Sequence, residues 1–204
     1  SGGLSATVRG TGGTVTVNQW SNVGHNGKGA DNSSSGTLTA LHDLNGADQN
    51  GPAAIDGTLN VSGNGIVNNP NNTMFIGKNG GTGVVTLAGN GQINVNTVRV
   101  GDSGAGTVNQ TGGSFTSNNW VAIGEQGGSV GNYNISGGSL SSGANPIIVG
   151  VSGTGTLTQD GGTVTSPGVA DLFLGRNASG NGAYNLNAGT LDTRDIVVGE
   201  GGTG

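Results

Sequence analysis

Apolar residues followed by glycine recur along the chain at nearly regular intervals. These doublets are Val23-Gly24, Ile76-Gly77, Val100-Gly101, Ile123-Gly124, Val149-Gly150, Leu174-Gly175 and Val198-Gly199. From Gly77 onward the intervals are 24, 23, 26, 25 and 24 residues, and the first interval, of 53 residues, holds two periods. A fixed period in the range of about 20–50 residues is typical of repeat architectures. The chain is therefore expected to repeat one structural unit of about 24 residues.

Each period contains three short segments in which apolar and polar residues alternate, as in 156–159, 163–165 and 171–174. Such alternation predicts strands with one face inward and one outward. Equivalent residues recur in the same order in every period, whereas a meander would reverse them in alternate strands, so the strands should stack in parallel, about 4.8 Å apart. The sequence predicts an all-β fold, a single parallel β-solenoid over residues 1–204 with three strands per coil and about eight coils. We expect a right-handed solenoid because parallel crossovers prefer that hand.

Three inward columns are predicted from the alternation. The first reads Val8, Leu38, Leu59, Val85, Val108, Tyr133, Leu157 and Tyr184. The second reads Val15, Ile93, Phe115, Leu140, Val164 and Leu191. The third holds the apolar residue before each glycine anchor and the residue two positions earlier. The second coil matches the pattern poorly, so a degenerate coil with an insertion is expected around residues 25–56.

Composition narrows the function classes. The 204 residues include 46 Gly and no Cys, and the longest stretch free of glycine is 11 residues (66–76), which argues against helices because an interior glycine costs about 1 kcal/mol. The missing cysteines exclude a disulfide scaffold and thiolate metal ligands. A net charge of −5 gives no electrostatic footprint for nucleic acid. No apolar run approaches the roughly 20 residues of a membrane helix, so neither nucleic-acid binding nor membrane insertion is expected.

The residues 155–165 (GTLTQDGGTVT) and 134–140 (NISGGSL) carry a family resemblance. They resemble the β-strand repeats of bacterial autotransporter passengers and related secreted β-helix surface proteins. The resemblance implies a β-helix displayed outside the cell or on its surface, where it serves as a stalk, an adhesin or an enzyme scaffold.

Two motifs suggest chemistry. Asp171 and Asp195 each lie four residues before a glycine anchor and should stack about 5 Å apart, near the carboxylate spacing of retaining glycosidases. They are predicted on an outward edge beside Arg194, where a solvated surface pair is expected. The string 101–104 (GDSG) resembles the serine motif of trypsin-like proteases, but His25 and His42 belong to other coils. The sequence therefore predicts no enzyme and no catalytic, cofactor or metal site.

The outward faces suggest contacts. Aromatic residues recur on the side that carries the third strand, and these are Trp20, Phe75, Trp120 and Phe173. They could contact another chain laterally or stack on surface carbohydrate, because large apolar patches mark contacts. Outward Thr-x-Thr pairs resemble ice-binding ladders, although other residue types interrupt them. The residues after the glycine anchors are expected to form exposed corner pairs, with Lys78 above Asp102 and Arg176 next to Glu200.

The terminal coils carry the functional prediction. Open strand edges at the ends of a solenoid are normally capped, and neither end of this sequence shows a cap. We therefore expect an extracellular structural protein whose copies stack end to end into a filament. The interface residues would be Val8, Val15, Leu191, Ile196 and Val198. One alternative is a piece of a longer cell-surface adhesin or passenger stalk, and another is a carbohydrate-active enzyme, a carbohydrate-binding module or an ice-binding protein.

Overall fold

The structure is a computed structural model of the 204-residue chain. It describes residues 5–17, 21–25, 28–40, 44–48, 56–166, 168 and 170–204, and the side chains of 10–16, 31–38, 57–166, 168 and 170–204. These residues form strands, turns and bends, with no helix among them. The expectation of an all-β chain is confirmed.

Eighteen strands follow one another in the described residues. They are β1 (Ser5–Gly10), β2 (Thr14–Val17), β3 (Ser21–His25), β4 (Lys28–Ser33), β5 (Thr37–Ala40), β6 (Leu44–Asp48), β7 (Asp56–Val61), β8 (Ile66–Lys78), β9 (Thr82–Leu87), β10 (Gln92–Val100), β11 (Ala105–Ser117), β12 (Val121–Ile123), β13 (Val130–Ser141), β14 (Ile147–Val149), β15 (Thr154–Ser166), β16 (Leu172–Leu174), β17 (Asn181–Thr193) and β18 (Ile196–Val198).

The strands pair in parallel with the strands one turn before and one turn after them. On the first side of the coil the order of pairing is β1, β4, β7, β9, β11, β13, β15 and β17. These eight successive strands mark eight coils. The longer strands continue around a corner, so that β11 forms the first and second sides of its coil. The chain is a parallel β-solenoid, as the recurring columns predicted.

One continuous hydrophobic core runs along the axis. Most of its side chains come from the predicted inward columns, among them the completely buried Phe115, Tyr133 and Leu157. The core also contains residues that those columns did not include, such as Val61, Leu87, Val95 and Ile135. The ring of Phe115 meets the ring of Tyr133 edge to face at a centroid distance of 6.0 Å. A thin core suffices here because each inward residue is covered by its equivalents in the coils above and below.

Glycine is required at the corner that follows the third side. Gly101 has φ 69°, a left-handed conformation that side chains with a Cβ rarely adopt. A Cβ at this position would lie 2.3 Å from the carbonyl oxygen of Val130 in the next coil. Conformation and contact therefore both explain why an apolar residue followed by glycine repeats with the coil.

The second coil corrects one of the predicted columns. Leu38 pairs with Val15 and with Val67, so it belongs to the second side of the coil and not to the first. The inward place on the first side is taken by Asp31, which pairs with Val8 and Leu59. A carboxyl group at an inward position breaks the apolar pattern, and the column was therefore misassigned. The expected insertion falls partly on residues 41–43 and 49–55, which lie outside the described residues.

Candidate functional site

The last coil leaves the inward columns uncovered. Leu186, Ile196 and Val198 are 48%, 52% and 59% exposed. Their equivalents one coil earlier are Gln159, Leu172 and Leu174, which are 0%, 0% and 9% exposed. The difference arises because no coil in the described residues covers β17 and β18. Apolar side chains that belong to the core therefore face outward at this end of the solenoid.

The backbone of this coil is open as well. In the described part of the chain β18 pairs with β16 alone, and β17 pairs with β15 apart from a single bridge between Asn181 and Thr203. The Leu172 N–H donates to the Asp195 carbonyl, and the Gly199 N–H donates to the Leu174 carbonyl. Because alternate residues of a strand point to opposite neighbours, the N–H groups of Ile196 and Val198 point away from β16. No strand among the described residues pairs with them on that side, so a further strand could accept their hydrogen bonds.

The first coil presents the opposite edge. Strands β1, β2 and β3 pair with β4, β5 and β6, and among the described residues with no strand on their other side. Val15 is 42% exposed, whereas Leu38 below it is 5% exposed. The side chain of Val8 lies outside the described ones. Of the predicted end residues, Val15, Ile196 and Val198 are thus exposed, and Leu191 is partly buried against the core.

The aromatic side offers less free surface than its composition suggests. Phe75 lies beneath Lys78, whose Nζ is 4.3 Å from the ring centroid, and Arg176 covers Phe173 at 5.0 Å. Trp120 is 38% exposed, and Trp20 lies outside the described residues. Two of the outward residues between the phenylalanines, Ala122 and Ile148, are buried in a second small apolar cluster together with Val151, and Phe173 packs against this cluster.

The two aspartates of the glycosidase-like pair are bound by an arginine. Asp171 and Asp195 lie in one column, since the Ile147 N–H donates to the backbone carbonyl of Asp171 and the Leu172 N–H donates to that of Asp195. Arg194 donates to both carboxylate oxygens of Asp171, at 2.8 and 2.7 Å, and to Asp195 at 3.1 Å. These carboxylates raise the pKa of Arg194, first through the hydrogen bond to Asp171. A carboxylate held in this way is poorly placed to attack a sugar or to transfer a proton.

The side chains of the motif at residues 101–104 make contacts that stabilise the corner of the coil. Ser103 Oγ donates to Asp102 Oδ2 at 3.1 Å and accepts the N–H of Asn79 at 2.8 Å. Asp102 is only 3% exposed and pairs with Arg99 at 3.1 Å. The prediction that Asp102 forms an exposed corner pair with Lys78 is therefore wrong, because the Asp102 side chain is buried and pairs with Arg99. The predicted Arg176–Glu200 pair is present at 3.5 Å.

A buried hydrogen-bonded pair of side chains, Tyr133 and Gln110, was not predicted from the sequence. Tyr133 donates its hydroxyl to Gln110 Oε1 at 2.6 Å, and Gln110 Nε2 donates to the carbonyl oxygens of Ser139 and Gly113. Two coils later Tyr184 and Gln159 repeat the arrangement, with a hydroxyl to Oε1 distance of 2.5 Å. Burial raises the pKa of Tyr133 well above its usual value and that of Tyr184 to about 12. The signal was a spacing of two periods between tyrosines and between glutamines.

Neither a metal site nor a membrane helix is found in the residues that the structure describes. No group of three or more His, Cys, Asp or Glu side chains among them is placed to hold a metal ion. No helix of sufficient length and apolarity to cross a membrane occurs there. No protein-family model, curated protein or solved structure matches the chain.

Proposed function

We propose that this chain is a structural protein whose β-solenoids stack end to end into a filament. The observation that carries the proposal is the uncovered last coil, where Leu186, Ile196 and Val198 are about half exposed although they continue columns that are buried elsewhere. Burying apolar surface stabilises by about 25 cal/mol per Å². A strand edge with free N–H groups adds directional pairing with another strand, as in β-augmentation.

The two ends are complementary in their backbone polarity. The open edge of β17 and β18 faces one end of the rod, and the open edge of β1, β2 and β3 faces the other. A second copy placed beyond the last coil therefore continues the same parallel pairing. Contacts of this head-to-tail kind do not close on themselves when the copies are related by translation along the axis, and they generate filaments.

Registration of the columns supports the same contact. Ile196 shares its column with Ser21, and Val198 shares its column with Val23, through the pairs that link β3, β6, β8, β10, β12, β14, β16 and β18. Leu191 shares its column with Val15 in the same way. Coil stacking would thus place Val198 on Val23 and Leu191 on Val15, and two apolar columns would continue across the junction.

The experiment is a proline substitution at the open edge. Ile196→Pro removes an N–H that points away from β16, so the hydrogen bonds to the coil below are kept while a donor to the next coil is lost. We expect purified wild-type chain to form filaments in electron micrographs and Ile196→Pro to remain monomeric in sedimentation velocity, with an unchanged circular dichroism spectrum.

Trp120→Ala on the side face is the matched control. This variant leaves both end coils intact, and its filaments should resemble those of the wild type. Filaments that survive Ile196→Pro but disappear with Trp120→Ala would contradict end-to-end stacking and would favour lateral contact through the aromatic side.

The same uncovered coil supports a second proposal, in which further coils of a longer surface stalk or adhesin cover it. In that case the 204-residue chain stays monomeric at high concentration. The likeness to secreted β-helix repeats leads us to place either role in an extracellular or cell-surface setting. Surface carbohydrate is a further proposed partner of the side that carries Trp120.

A further inference from the structure

One inward column changes in bulk along the rod. Its members, paired coil by coil, are Gly10, Ser33, Val61, Leu87, Gln110, Ile135, Gln159 and Leu186. We refer to it as the taper column. Its first two residues are the smallest, and its last residue is a leucine that is 48% exposed. The column is therefore underfilled at one end of the solenoid and projects a large apolar side chain at the other.

The underfilled end holds a cavity that is partly open to solvent. It has a volume of about 180 Å³, and residues of the first two coils line it, some apolar (Val15 and Leu38) and some polar (Asp31 and Ser33), together with Gly10. It exists because Gly10 has no side chain and because Ser33 turns its hydroxyl to the carbonyl of Gly36 at 3.1 Å. Among the described side chains, a Cβ built on Gly10 would meet only that of Ser33, with its Oγ at 3.6 Å, which is an ordinary contact. None of these side chains fills the space beside Gly10.

The projecting end matches that space in position and in size. Leu186 and Gly10 belong to the same column, so continued parallel stacking brings them next to each other, about 4.8 Å apart between strands. The size is adequate, because a cavity of about 150 Å³ accommodates a benzene ring, and the four-carbon side chain of leucine is smaller. The cavity volume of about 180 Å³ is therefore sufficient.

We infer that Leu186 of one copy fills the cavity beside Gly10 of the next copy and so sets the register of the end-to-end contact. This inference rests on the proposed filament, and its partner is a second copy of this chain. A slip by one residue would turn every inward side chain outward. A slip by two residues would bring Tyr184 or Ala188 to Gly10 in place of Leu186. The Leu186 side chain would then no longer lie opposite the cavity.

The first test moves the leucine side chain from position 186 on one side of the contact to position 10 on the other. Leu186→Ala removes the side chain that fills the cavity, and Gly10→Leu fills the cavity from within its own coil. Each should raise the critical concentration for assembly by about tenfold or more, as expected when a large apolar side chain is lost or has no room. The chain that carries both changes should assemble within about threefold of the wild-type concentration, because one leucine again occupies one cavity.

The second test is independent of packing energies. The chain contains no cysteine, so Gly10→Cys combined with Leu186→Cys introduces two thiols whose Cα atoms would fall within the 4.4–6.8 Å range of disulfides. Oxidised filaments of this variant should give a ladder of covalent oligomers on a denaturing gel. The matched control combines Leu186→Cys with Thr16→Cys, an exposed position on β2, and should give no such ladder.

The outcomes separate this inference from the proposed function. Suppose that wild-type filaments form, that the chain with both Gly10→Leu and Leu186→Ala assembles as poorly as the two single changes combined predict, and that the Gly10→Cys/Leu186→Cys variant does not cross-link. The register is then wrong, and end-to-end stacking stands. If the wild-type chain does not assemble at all, both are overturned. Recovery of assembly in the Gly10→Leu/Leu186→Ala chain, together with the ladder of disulfide-linked oligomers, establishes the register.

Discussion

Removing the hydroxyl of Tyr133 tests whether the buried Tyr–Gln pair stabilises the solenoid. Tyr133 is completely buried, and its hydroxyl is 2.6 Å from Gln110 Oε1. Gln110 is itself only 1% exposed, and its Nε2 holds the Ser139 carbonyl of the next coil at 2.9 Å. Tyr133→Phe preserves the ring and its contact with Phe115 but leaves the glutamine oxygen without a donor in a dry core.

The expected loss follows from that unpaired acceptor. An unsatisfied buried polar group costs about 1–3 kcal/mol, which is more than the net contribution of about 1 kcal/mol from an ordinary hydrogen bond. We therefore expect Tyr133→Phe to lower the free energy of unfolding by about 2 kcal/mol. Tyr184→Phe is the matched control, because Tyr184 donates to Gln159 in the same geometry but lies on the open last coil, where water can replace it. Its expected cost is below about 1 kcal/mol.

The assay is denaturant unfolding followed by circular dichroism, with hydrogen exchange across residues 105–117 and 130–141 to locate the effect. Faster exchange in these two strands should accompany the loss in Tyr133→Phe. Equal and small losses in both variants would refute the reasoning, since burial would then make no difference. A larger loss in Tyr184→Phe would refute it as well.

Three further predictions concern charged groups and the core. Val164→Asp should abolish the protease resistance of coils around β15, since it places a charge in a dry core, whereas Thr165→Asp on the outward face should not. Asp31→Asn should raise stability at neutral pH, because burial raises the pKa of Asp31 and so disfavours its charged form in the folded state. The wild-type folded state therefore gains stability as the pH falls from above that raised pKa toward 3.8. The variant should lack this gain when the unfolding midpoint is measured across an acid titration. Asp102→Ala should cost about 2 kcal/mol in thermal unfolding because Arg99 loses a charged hydrogen bond, whereas Lys78→Met should change little.

The period and the core columns could be predicted because each depends on local chemistry. Glycine at 101 is needed for a left-handed corner, and an apolar residue before it fills the core, so the doublet recurs in every coil except the degenerate second one. Alternation at 163–165 then separates the buried Val164 from its outward neighbours. These are short-range rules, and they were enough to predict the stacked parallel strands.

The features that were missed depend on contacts between coils. Asp31 occupies an inward position that no apolar pattern marks, so Leu38 was assigned to the wrong side. Asp102 is buried because Arg99 reaches it across the corner, which the sequence order alone does not indicate. Tyr133 and Gln110 are 23 residues apart, and the pair recurs once, two coils later, so the period of about 24 residues does not indicate it. The taper column could not be predicted because its members are identified only by the pairing register of all eight coils.

Helical reconstruction from electron micrographs of the purified chain measures the central claim most directly. If copies stack end to end, the axial rise per copy should equal eight coils of about 4.8 Å, or about 38 Å, with continuous parallel strands running through the junction. Density that shows coils joined side to side, or a chain that remains monomeric at every concentration examined, would contradict the account.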